Sequence, residues 1–284
     1  MNFFIGCAVW SYKGWVGDFY PKGTRSTDFL HLYSRRFTAV EGNTTFYAVP
    51  NQETVKRWAA QTPPKFKFCL KLPRNITHNG SLKPYIHDAL KFAEIMRPLG
   101  SRLAPMFAQL PPSYAPSSLE DLTAFIESWQ QTQLPLAIEV RHRDWFKQPL
   151  ALELTNLLQE FGIGKVILDS RPIYTVEDDP QLGSERRKPQ LPVDFNVTAP
   201  FTLIRFISHP NLPINQPFME EWVTYIQQWL QSGKQVYFFV HCPEEEKSPW
   251  AARHFQNLLE QRDVGVSPLP GHQNDSHPKQ LSLW

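Results

Sequence analysis

Cysteine is scarce in this chain, and the three present, Cys7, Cys69 and Cys242, lie far apart without a CxxC pair. An odd number of separated thiols argues against a secreted disulfide framework, so the expected compartment is a reducing one and the expected localisation cytoplasmic. Charge of one sign is lacking as well: 29 Lys and Arg against 27 Asp and Glu leave a formal +2. No global field therefore draws the protein to nucleic acid or to an anionic membrane. Long hydrophobic runs are missing too, since no stretch approaches the roughly 20 apolar residues of a membrane helix. The apolar opening Phe3-Phe4-Ile5 has no basic leader and soon gives way to Ser11-Tyr12-Lys13, so it reads as a strand and not as a signal peptide. There is no GxGxxG after that strand, which removes the usual dinucleotide fold, and no HxH or HExxH metal spacing.

What is present is proline and aromatic side chains, 26 Pro with 20 Phe, 9 Trp and 9 Tyr, in a chain that is 42% apolar. That composition suits a substantial aromatic core with many ordered loops. Short β-rich runs recur eight times, at Phe3 to Val9, Thr38 to Gly42, Phe66 to Leu70, Leu103 to Ala108, Leu136 to Val140, Lys165 to Leu168, Phe201 to Ile207 and Gln235 to Val240. Helical periodicity occupies most of the intervals, at Ser26 to Arg36, Gln52 to Gln61, Pro84 to Leu99, Ser117 to Gln130, Pro149 to Phe161, Pro217 to Gln231 and Pro249 to Gln261. Ser117-Ser118-Leu119-Glu120 has the pattern of a capping box.

This alternation predicts an α/β fold, a single TIM-type (β/α)8 barrel over residues 1–265, with a flexible C-terminal tail over 266–284. The exception to the alternation is Asp169 to Pro200, rich in Pro, Asp, Arg and Lys. It reads as a long, irregular sixth connection, a lid over the site, a partner surface or a mobile surface excursion.

In such a barrel chemistry sits at the C-terminal ends of the strands. Collecting polar residues there yields Trp10 and Tyr12, Glu41 and Asn43, Lys71, Gln109, Glu139, Arg141 and His142, Asp169 and Arg171, Arg205 and His209, and His241. Ala39-Val40-Glu41-Gly42-Asn43 and Ala137-Ile138-Glu139-Val140-Arg141 repeat one design. With a period of two, Val40 and Ile138 turn to the helices and Glu41 and Glu139 into the mouth. Buried carboxylates need Arg141, Arg205, Lys71 or a cation nearby, so the bland alternative is a neutralising ion-pair network. Lys71 suits anion binding or, less simply, a Schiff base. A divalent metal held by Glu41, Glu139, Asp169, His209 and His241 is a further alternative, since oxygen and nitrogen ligands on different strand ends suit a barrel metal site. Gln109 and Arg205 occupy the ends of strands four and seven, where the common barrel glycosidase carries its carboxylates. The usual phosphate-binding glycines after strands seven and eight are absent.

At these residues the chain resembles the domain of unknown function 72, or YecE-like, family, from Ile5 to about Leu259. The motifs are Ile5-Gly6 with Trp10-Ser11-Tyr12, Trp15-Val16-Gly17-Asp18-Phe19-Tyr20-Pro21, Val40-Glu41-Gly42-Asn43-Thr44-Thr45-Phe46-Tyr47, Phe66-Lys67-Phe68 with Lys71, Ile76-Thr77-His78, Gln109-Leu110-Pro111-Pro112, and Glu139-Val140-Arg141-His142 with Trp145. The resemblance implies a TIM barrel of unassigned activity, similar to xylose-isomerase-type and endonuclease-type barrels. It departs from the family pattern at Arg205-Phe206-Ile207-Ser208 and Phe239-Val240-His241-Cys242.

Three readings follow. The first is an enzyme, a hydrolase or isomerase, acting on a small polar or anionic substrate, with Glu41, Glu139 and Lys71 catalytic and Trp10, Tyr12, Asn43, Tyr47, His78, Gln109, Arg141, Trp145, Asp169 and Arg205 binding substrate. The second is a nucleic-acid binder or endonuclease-like barrel that stacks bases on Trp10, Trp15, Phe46, Tyr47 and Trp145. The third keeps a ligand but no chemistry. The sequence does not decide between an enzyme and a binder, or whether a cofactor is used.

Overall fold

The computed structural model describes residues 2–183 and 187–271. Among these residues eight short strands form: β1 Phe3–Cys7, β2 Ala39–Gly42, β3 Lys67–Leu70, β4 Met106–Gln109, β5 Leu136–Glu139, β6 Gly164–Asp169, β7 Phe201–Ile207 and β8 Gln235–His241. Among the described residues nine α-helical segments accompany them: α1 Phe29–Tyr33, α2 Thr44–Tyr47, α3 Gln52–Gln61, α4 Arg74–Thr77, α5 Ile86–Met96, α6 Leu119–Trp129, α7 Leu150–Glu160, α8 Leu212–Gln231 and α9 Ser248–Gln261. Among the described residues no α-helix follows β6 before β7.

All strand pairs are parallel, in a six-stranded sheet ordered β1-β8-β7-β6-β5-β4 and a two-stranded sheet of β2 and β3. Two seams close these into a ring. Between β3 and β4, Ala104 and Leu72 donate their N–H groups to Phe68 O and Phe107 O at 3.0 and 2.9 Å. Between β1 and β2, Thr38 N–H donates to Ile5 O and the Tyr33 hydroxyl donates to Ala39 O while accepting from Cys7 N–H at 2.6 Å. The strands meet so closely here that a Cβ on Gly6 would stand 1.9 Å from Ala39 O, which explains a glycine in an otherwise bulky strand. Tyr33→Phe should leave the buried Cys7 N–H without its acceptor at a cost of about 1–3 kcal/mol. We expect a fall in Tm of several degrees by calorimetry; an unchanged Tm would show that the seam does not depend on this hydroxyl.

Alternation along each strand sorts the core into two layers. Phe4, Ala39, Cys69, Phe107, Ala137, Leu203, Tyr237 and Phe239 fill the ring, and Ile5, Val40, Phe68, Ile138, Ile204 and Phe238 pack outward against the helices. Helix α6 shows the matching pattern, with Leu122, Phe125, Ile126 and Trp129 buried at helical spacing and Glu120 and Asp121 in its first turn. The capping box expected at Ser117 does not form. Pro116–Ser118 make a 3-10 turn, Leu119 N–H bonds back to Pro116 O, and no side-chain cap is made. Helix α8 begins at Leu212, earlier than the expected Pro217, because Pro213 sits in its first turn where a missing N–H costs no helical bond.

The sixth connection is irregular as expected, and its described residues are tied to the barrel at several points. Ser170 Oγ donates to Pro189 O at 2.8 Å, Lys188 N–H donates to Gln181 Oε1 at 2.6 Å, and the Lys165 ammonium pairs with Asp194. Leu191 is buried with Leu168, Ile173 and Ile207. Of the tail assigned to 266–284, Leu269 packs on the core, and residues 272–284 lie outside the described residues.

Candidate functional site

The inward faces of the strands end in one buried ionic cluster. Arg205, on β7, donates from Nε and Nη2 to Glu41 Oε2 and Oε1 at 2.9 and 2.8 Å, and from Nη1 to Glu139 Oε2 at 2.6 Å. The Glu41 carboxylate also receives Asn43 Nδ2 at 2.7 Å and meets His241 Nε2 at 2.9 Å, so both oxygens are doubly engaged. Glu139 Oε1 accepts from Arg141 Nε at 2.7 Å. Charge-assisted bonds of this number offset the burial of charge. Burial alone would raise both carboxyls, but Arg205 with His241 holds Glu41 well below its usual range, and Arg205 with Arg141 and Lys71 holds Glu139 at about 2. Both are therefore ionised and weakly basic at neutral pH.

Above this floor opens a cavity of about 500 Å³ lined by Asn43, Phe46, Tyr47, Lys71, Arg74, His78, Gln109, Arg141, Arg187, Lys188, Arg205, His241 and Glu245, with Ala8 and Val9. Short helices missed in the sequence build its rim: α2 after β2 carries Phe46 and Tyr47, and α4 after β3 carries Arg74 and leads to His78. Lys71 Nζ donates to Gln109 Oε1 at 2.8 Å and lies 3.7 Å from the centre of the Phe46 ring. Burial, reinforced by the positive charges of Arg205 and Arg141 and only partly offset by Glu139 and Glu41, lowers Lys71 to about 6. Its amine is largely uncharged at pH 7, a property the sequence could not reveal. Burial and neighbouring cations likewise lower His78 to about 4, and burial lowers His241 to about 4 despite Glu41.

Among the lining residues, Lys188 and Glu245 had no sequence signal beyond their loops. Lys188 enters from the sixth connection, and burial and Arg205 lower it to about 8. Glu245, beyond β8, has its Oε1 buried with no hydrogen-bond partner among the described residues, and burial, with Glu246 and Glu41, raises it to about 8 against the opposing pull of Ser248 and Lys188. A carboxyl raised in the folded state costs stability as pH rises from its unfolded value near 4.3 through 8. Glu245→Gln should thus gain Tm relative to the parent between pH 5 and pH 9. A pH-independent difference in differential scanning fluorimetry would contradict that assignment.

Several expected site residues lie elsewhere. Asp169 registers with Phe206 and so turns outward, where it accepts from Arg171 and from Trp222 Nε1 on α8; its inward neighbour is Leu168, registered with Arg205. Trp10 packs on Trp58 and Phe68, and Trp145 is fully buried with Nε1 donating to Tyr114 O. Tyr12 bonds Glu246 outside the lining. Of the proposed base-stacking set, Trp10, Trp15, Phe46 and Trp145 are buried and only Tyr47 is exposed. The five residues considered for a metal do not converge, because the Arg205 guanidinium lies between Glu41 and Glu139, Asp169 faces α8, and His209 Nδ1 accepts from Asn211 N–H. No group of three or more His, Cys, Asp or Glu suited to a metal occurs among the described residues. No helix among them is long and apolar enough to cross a membrane.

Comparison with known proteins yields a family match and several relatives. A family model described as "Protein of unknown function DUF72" matches residues 4–274. UPF0759 protein YecE of Escherichia coli K12 is 34% identical over 284 residues, 99% of each chain, and UPF0759 protein YunF of Bacillus subtilis 168 is 25% identical over 99% of each. Among solved structures, a DUF72 family protein of Enterococcus faecalis V583 aligns with a TM-score of 0.69 at 20% identity, over 91% of this chain and 97% of that one. A DUF72 family protein of Thermotoga maritima aligns with a TM-score of 0.67 at 20% identity, over 92% and 100%.

Proposed function

The chain belongs to the DUF72 family of proteins of unknown function, and from that premise we propose that it is an enzyme acting on a small anionic substrate held in the barrel mouth. The carrying observation is the imbalance of charge in the lining. Lys71, Arg74, Arg141, Arg187, Lys188 and Arg205 face the cavity, with Glu245 the one carboxylic acid among its described lining residues. Arg205 is already neutralised by Glu41 and Glu139 beneath it. A cavity of about 500 Å³ also fits the usual size of a small-molecule site.

In this reading the two glutamates are not bases. Low proton affinity suits them to hold Arg205 and Arg141 in place, which in turn present planar donors to a carboxylate or phosphate. Proton transfer falls to groups whose affinities lie near neutrality, the Lys71 amine as acceptor and the Glu245 carboxyl as donor. Proton acceptor and donor on one cavity fit isomerase or hydrolase chemistry.

Melting curves in the presence of inorganic phosphate, citrate, pyruvate and sugar phosphates test the proposal. A ligand at 100 times its Kd stabilises the folded state by about 2.7 kcal/mol, a rise of several degrees. The reading fails if none of these anions raises Tm more than sodium chloride of equal ionic strength. Turnover of a binding anion that is lost in Lys71→Gln while binding persists separates an enzyme from a protein that only binds.

A further inference from the structure

We infer that Lys71 forms an imine with a carbonyl carbon of the substrate, which makes the substrate class an anionic oxo compound, either an oxo acid or a phosphorylated aldehyde or ketone. The inference rests on the anion-binding reading above and gives the Lys71 lone pair a nucleophilic role in place of the proton-acceptor role. It stands on the placement of Nζ. Arg205 has two carboxylate partners, Arg141 has one, and the buried Lys165 has Asp194. Lys71, equally buried in the ring of strand ends, has instead an amide oxygen at 2.8 Å and an aromatic face at 3.7 Å. An uncharged amine has two N–H groups and one lone pair. Gln109 Oε1 accepts the first N–H and the Phe46 ring accommodates the second, which leaves the lone pair for the cavity that Lys71 lines. An ammonium would need the lone pair for its third proton and, among the described residues, would have no carboxylate at ion-pair distance, a costly state in a buried site.

The chemistry balances without a further reagent. The amine lone pair attacks the carbonyl carbon, the C–N bond forms, and the carbonyl π pair moves to oxygen. Both amine hydrogens then leave with that oxygen as water, and the C=N bond remains. Arg141 and the other lining cations hold the carboxylate or phosphate that brings the carbonyl to the amine, converting a bimolecular attack into one within the complex.

Pyridoxal 5′-phosphate and glyoxylate serve as probes, an aldehyde carrying a phosphate and one carrying a carboxylate. The intact protein is incubated at pH 7 with one equivalent of either in the presence of cyanoborohydride, and modified lysines are located by peptide mass spectrometry. An exposed lysine with a pKa near 10.4 is about 0.04% amine at pH 7, whereas a group near 6 is about nine-tenths amine. Lys71 should therefore be modified at least tenfold faster than Lys13, Lys56 or Lys91, with a rate that rises to half its plateau near pH 6. Inorganic phosphate should slow it, a competition measured on the unaltered protein and so independent of whether a variant folds. Lys71→Gln should lose the modification. Labelling spread over exposed lysines with Lys71 untouched, while phosphate still raises Tm, overturns the imine and leaves anion binding standing. If phosphate and pyruvate leave Tm unchanged, the underlying reading has failed instead.

Discussion

Replacing Arg205 with methionine should lower Tm by on the order of 10 °C or leave the chain insoluble, the largest effect expected of a single substitution in the site. Arg205 is 1% exposed and joins carboxylates from opposite sides of the ring, Glu41 on β2 and Glu139 on β5. Removing one partner of a buried pair costs about 3–5 kcal/mol because the remaining charge is uncompensated. Here two charges are left, held only by Asn43 and His241 on one side and Arg141 on the other. The pH dependence should change sign. In the parent both glutamates have depressed affinities, so their contribution is complete above the unfolded value near 4.3 and is lost as pH falls towards 2. Without the guanidinium, burial dominates and the carboxyls rise, so the variant should become more stable as pH is lowered from 7 to 5. Arg205→Met combined with Glu41→Gln should recover part of the loss, since it removes one of the stranded charges. Calorimetry of the parent and the two variants between pH 5 and 8 checks this, and an Arg205→Met variant that melts like its parent would show that the cluster is not what holds the mouth together.

Arg141→Ala is expected to abolish most of the stabilisation by phosphate or citrate while leaving the fold intact. Its Nε bonds Glu139, but Glu139 keeps Arg205 at 2.6 Å, so no buried carboxylate is stranded. The guanidinium lines the cavity at a side-chain exposure of 14%, placed where a ligand excludes water from it. A hydrogen bond to a charged group contributes about 1.5–3 kcal/mol, so the Kd of an anion should weaken roughly 10- to 100-fold. Isothermal titration of the parent and variant with the same anion measures it. Equal affinity in both would remove Arg141 from the site and, with it, much of the case for an anionic substrate.

Much of this site was legible in the strands. Period-two alternation put Glu41, Glu139, Lys71 and Arg205 on the inner face, and the ring of strand ends collects them as expected. Asp169 is the exception: the β-rich run of the sequence ends at Leu168, whereas β6 continues through Asp169 and alternation turns that residue outward to α8. Trp10 is a strand-end aromatic and Trp145 belongs to the family motif, but both are buried in the helix layer, the more favourable place for a large apolar ring. Lys188 and Glu245 left no trace because they lie in segments without periodicity.

The sequence by itself determined the alternation of strands and helices, the parallel barrel that alternation requires, and which residues each strand turns inward, because these depend on local periodicity and on the burial of apolar side chains. Only the tertiary structure decided the protonation of those residues. Whether Glu41 is a base or an ion-pair anchor, and whether Lys71 is an ammonium or an amine, depends on distances between β2, β3, β5 and β7. Electrostatic energy in a buried site varies with separation and desolvation, and residues 164 apart in the chain come to lie 2.8 Å apart only when the ring closes.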